Sequence, residues 1–196
     1  MKSKFVAAAL RYGGVAVTFA ICGAGSSILL LAPDRDGFLY AIIPKLLPVP
    51  FALLCTLLFL RMWRALFAIP LIAAVWFVAK FTAVSLAVRL GTVGDREAVC
   101  VGGLIGGLGL VLCVSTCYGR LLSPKYLFCG AVIGCFSALS FAPWLRTTYP
   151  NSDGPDPLFL LAFAIWQAAV GTYLYAICTA ANQEAQPEGS QGANAG

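Results

Sequence analysis

A lysine and a glutamine stand inside stretches that are otherwise apolar enough to cross a bilayer. Lys80 has at least seven largely apolar residues on either side. A charge near mid-membrane costs several kcal/mol on insertion scales, so such a lysine normally faces a cavity or a partner. No Asp or Glu falls inside any of the apolar runs, which removes an ion pair within a span. Lys80 is then expected to meet an anionic solute, a lipid headgroup or an acid of another subunit. The alternative is snorkelling across the ~12 Å that separates it from the span end near Val88.

Gln167 is the second such residue. It follows Trp166, and helical spacing puts Gly171, Tyr175 and Cys178 on its side, a small and polar stripe suited to a bundle interior. Counted from the same membrane face, Gln167 and Lys80 reach similar depths. If their helices are neighbours, the amide oxygen accepts from the lysine ammonium. Otherwise it makes an ordinary interhelical hydrogen bond of under about 1–2 kcal/mol.

Two further cations lie beside a proline-rich segment, Pro44-Lys45-Leu46-Leu47-Pro48-Val49-Pro50. Interrupted helices expose backbone amides and carbonyls, and such breaks line substrate sites in many transporters. Lys45 and Arg35 would make that opening attractive to anions; a ligand-free lid or interfacial turn is the plainer reading. Glycines carry the clearest motif. Gly102-Gly103-Leu104-Ile105-Gly106-Gly107 holds two overlapping GxxxG patterns, with Gly109 beyond, and Gly130 and Gly134 repeat the spacing. Such faces let helices approach closely, either within the chain or against a second copy or another subunit.

The absences exclude whole chemistries. With no histidine there is no Ser–His or Cys–His nucleophile, no haem axial histidine and no histidine-bound zinc. None of the eight cysteines forms a CxxC pair, and nearly all lie in apolar runs, where cysteine acts as a small hydrophobe. No carboxylate dyad, phosphate-binding loop or dinucleotide fingerprint is present. The expectation is therefore no metal, no cofactor and no enzymatic activity.

The elements that must position these residues are membrane helices. Of 196 residues, 60% are hydrophobic and 11% charged, against roughly 25% charged in soluble domains. At about 20 residues per span this supplies five or six crossings and excludes a nucleic-acid-binding domain. The punctuation predicts an all-α polytopic helix bundle with spans near 13–32, 38–60, 65–88, 97–118, 124–142 and 158–180, the second short or proline-broken. A disordered polar tail is expected over 181–196.

Lys and Arg favour both termini in the cytoplasm, in a bacterial-type inner membrane. Seven fall on the side of the termini and five on the other, with Lys80 inside a span. The sequence favours a small solute carrier, channel or substrate-binding membrane subunit with an electropositive intramembrane site for a small anionic solute. In size and span number the chain is similar to the vitamin-binding membrane subunits of energy-coupled importers, a likeness of architecture with no shared motif. The alternative is a non-transporting scaffold or assembly factor, whose glycine-rich faces dock partner membrane proteins or form a homo-oligomer.

Overall fold

The computed structural model describes residues 2–28, 48–59, 62–91, 94–118, 123–143 and 157–184. Among them there are six α-helices and no strand: α1 (Lys2–Ile28), α2 (Pro48–Phe59), α3 (Met62–Leu90), α4 (Asp95–Tyr118), α5 (Pro124–Ala138) and α6 (Pro157–Glu184). A 3-10 turn, Leu139–Phe141, prolongs α5. Five helices are long and apolar enough to cross a membrane; α2 is the exception. Its 12 residues make about 18 Å, short of a ~30 Å hydrocarbon core. The short second element is thus present from Pro48 onwards, and 38–47 lies outside the described residues.

Two expected boundaries move. The first helix begins at Lys2, eleven residues before the expected 13, and carries Arg11 within it. An arginine this close to the membrane edge can keep its charged head near water while its stem stays apolar. At the other end of the chain, α6 continues to Glu184, so 181–184 belongs to a helix that outlasts the apolar run. Residues 185–196 lie outside the described residues.

Local chemistry sets the ends of α4 and α5. Gly91 holds φ at +66°, a left-handed turn that glycine alone takes without strain. Its carbonyl accepts from the Gly94 amide at 3.1 Å, and the Gly94 carbonyl then accepts from Ala98 at 2.9 Å to open α4. Asp95 and Glu97 follow in the first turn, where the helix dipole favours negative charge. At α5, Ser123 occupies the cap position and Pro124 the first helical position. The Ser123 carbonyl, not its hydroxyl, receives the first helical bond.

The helices close into a ring that follows chain order, each packed on the next and α6 returning to α1. Along this ring α6 also leans inward against α2 and α4. Phe19 of α1, Phe51 of α2, Leu110 and Val111 of α4 and Leu174 of α6 are almost completely buried where these helices meet. Helices α1 and α3 instead turn broad apolar faces outward, with Leu10, Ile21, Phe67 and Phe81 among the exposed side chains. That pattern is required of helices in contact with lipid, where burial inside the protein is not the only way to leave water.

Candidate functional site

The polar interior is built around α6. Gln167 is 2% exposed, on a stripe with Gly171, Tyr175 and Cys178, which are buried as well. Its Oε1 has no hydrogen-bond partner. Beside it is a cavity of about 20 Å³, bounded by Pro48 and Phe51 of α2, Trp76 of α3, Gly106 of α4 and Trp166. That is room for one water. A buried acceptor left unsatisfied costs about 1–3 kcal/mol, so the site favours a small hydrogen-bond donor.

Lys80 does not join it. Helix α3 packs against α2 and α4 and does not run alongside α6. Ala79 lines the cavity, whereas Lys80, one residue on, is exposed on the outer face with Phe77, Phe81 and Val84. Its Nζ lies 5.0 Å from the ring centroid of Trp76, one turn nearer the start of the helix. The ammonium therefore points away from the closer span end at Leu90, ten residues and ~15 Å off. Trp76 touches both: its ring carries the Lys80 ammonium and also lines the cavity beside Gln167. The expected shared electropositive site is not assembled from these two residues, and Arg35 and Lys45 lie outside the described residues.

The glycines serve two neighbours at once. One phase of the motif, Gly103 and Gly107, meets α5, and a Cβ at either would overlap the carbonyl oxygen of Gly134 or Gly130. The other phase meets α3. A Cβ on Gly102 would come 2.7 Å from the Ala83 Cβ, and one on Gly109 would come 2.7 Å from Val75. Gly106 has more room, its nearest neighbour being the Trp166 ring at 3.3 Å. Both GxxxG patterns are thus occupied within the chain, and α4 is wedged between α3 and α5 at backbone distance.

Other contacts escaped the sequence. A Cβ on Gly23 would fall 2.6 Å from the Phe163 carbonyl oxygen, and Phe19 lies over Gly171; together they lock α1 to α6. The small residues Gly23 and Ser27, four apart, were the available signal. Arg11 donates through Nε to the Tyr175 hydroxyl, and its guanidinium stands 5.2 Å from that ring's centroid. Nothing in the spacing of residues 164 positions apart announces such a pair. No disulfide joins the cysteines, and Cys55, Cys113, Cys117 and Cys178 are buried. Among the described residues no three His, Cys, Asp or Glu side chains converge as metal ligands do.

Fold and site define a multi-pass α-helical integral membrane protein with an aromatic interior. No protein family, curated protein or solved structure matches the chain.

Proposed function

We propose that this protein is a membrane-embedded subunit that docks a partner membrane protein along the outward face of α3. The supporting observation is Lys80, exposed at mid-span and laid over Trp76. A lysine at that depth costs several kcal/mol, of which a cation–π contact returns about 2 kcal/mol. The remainder calls for a carboxylate at the same depth. Asp95 and Glu97 sit in the first turn of α4, at a membrane edge, and no acid falls within an apolar run. A second copy therefore offers nothing to pair with. The occupant proposed is a transmembrane helix of a different protein, with an Asp or Glu near its centre. The glycine faces, already taken up inside the bundle, are not the docking surface in this reading.

The test is the native mass of the complex after gentle extraction, compared across Lys80 variants. Lys80→Met should weaken association about a hundredfold, Lys80→Arg should largely keep it, and Lys80→Glu should be rescued by lysine at the partner's acid. A native mass that is the chain alone, or one that Lys80→Met leaves unchanged, overturns the proposal. A bound solute lost on Gln167→Leu would support the carrier reading instead.

A further inference from the structure

A groove of about 350 Å³ runs between the first turns of the α1 span and the last turns of the α6 span. Its walls are Ala7, Ala8, Ala176 and Ala180, whose small side chains leave the space open. At its inner end are Arg11 and Tyr12, while Thr179 lies close to the end of the α6 span. Arg11 lies five residues inside the span that begins at Val6, or about 7.5 Å below its edge. Helical side chains lean towards the helix N-terminus, which here directs the guanidinium towards the headgroup layer. Tyr175, five residues inside the end of the α6 span, holds it by the hydrogen bond and ring contact already described, while Tyr12 packs edge-on against the same ring at 6.0 Å.

One donor of Arg11 is engaged, and among the described residues no carboxylate pairs with it. A guanidinium has five N–H donors in a planar fork that matches phosphate oxygens. We propose that this groove binds a phosphate group: Arg11 holds the phosphate oxygens, and the alanine walls accept the apolar chain attached to it. An anionic phospholipid is the source that uses both halves of the groove, since basic pockets between membrane helices take such headgroups. Inorganic phosphate would use the arginine alone.

Native mass spectrometry in mild detergent, with added phosphatidylglycerol or phosphatidylcholine, reads this directly. Phosphatidylglycerol should stay on the wild type and be held about tenfold more weakly by Arg11→Gln. Ala176→Leu, which fills the groove without touching the guanidinium, should also lose the lipid. In parallel, inorganic phosphate is titrated while the unfolding temperature is followed. Stabilisation that Arg11→Gln abolishes, without lipid retention, assigns the site to soluble phosphate. Equal lipid adducts and equal phosphate response in wild type and Arg11→Gln overturn the proposal. So does equal retention of the two lipids by both proteins.

Discussion

The ring of Phe19 lies in the space that a side chain on Gly171 would need, its Cδ1 only 2.5 Å from where that Cβ would be. The same ring is 5.3 Å from that of Phe51, which in turn is 5.9 Å from Trp166. One phenylalanine therefore joins α1, α2 and α6, and it is fully buried.

Phe19→Ala should cost about 3–5 kcal/mol, the usual price of emptying a buried aromatic site. Thermal unfolding in detergent would measure it. A loss below about 1 kcal/mol would mean that α1 is held by other contacts.

Gly107→Ala should be far worse tolerated than Gly106→Ala, although the two are adjacent. The first methyl would overlap a backbone carbonyl of α5, which cannot step aside. The second would meet the edge of Trp166. Overpacking of this kind costs about 1–3 kcal/mol or more. Gly13→Ala and Gly14→Ala, with nothing within 4 Å, should be neutral or up to about 1 kcal/mol stabilising. Equal effects at all four positions would contradict the packing described.

Gln167→Leu removes the unpartnered amide and fills the same region with apolar atoms. Stability should stay level or rise by about 1 kcal/mol. A loss of several kcal/mol would show that a tightly held water or ligand satisfies the oxygen.

Tyr173 donates its hydroxyl to the Tyr126 carbonyl at 2.7 Å, tying α6 to the first turn of α5. Tyr173→Phe keeps the ring and should cost about 1 kcal/mol. The check is the unfolding midpoint together with amide exchange at the start of α5, which should quicken.

Periodicity and run length made the helices legible because each span must be apolar over a fixed distance whatever it packs against. The glycine motif was legible as a packing surface for a related reason: only a missing side chain allows backbone contact. Its partners were not, since Gly102 and Gly103 differ by a single step round the helix yet face α3 and α5. Lys80 and Gln167 were both visible as polar residues at matching depth. Depth follows from counting along the chain, but rotation about the helix axis depends on which neighbours arrive. That rotation turned Ala79, not Lys80, into the cavity beside Gln167. The contact of Arg11 with Tyr175 was not legible, because its partner lies 164 positions away.

A ring in chain order has one seam that joins distant parts of the sequence, and here it is the seam of α1 with α6. During synthesis α3, α4 and α5 can settle on one another as they emerge, while Gly23 and the α6-facing side of Phe19 wait for α6. Closure of the ring therefore waits for α6. A chain halted before α6 would present its open flank to whatever surveys the membrane for unfinished proteins.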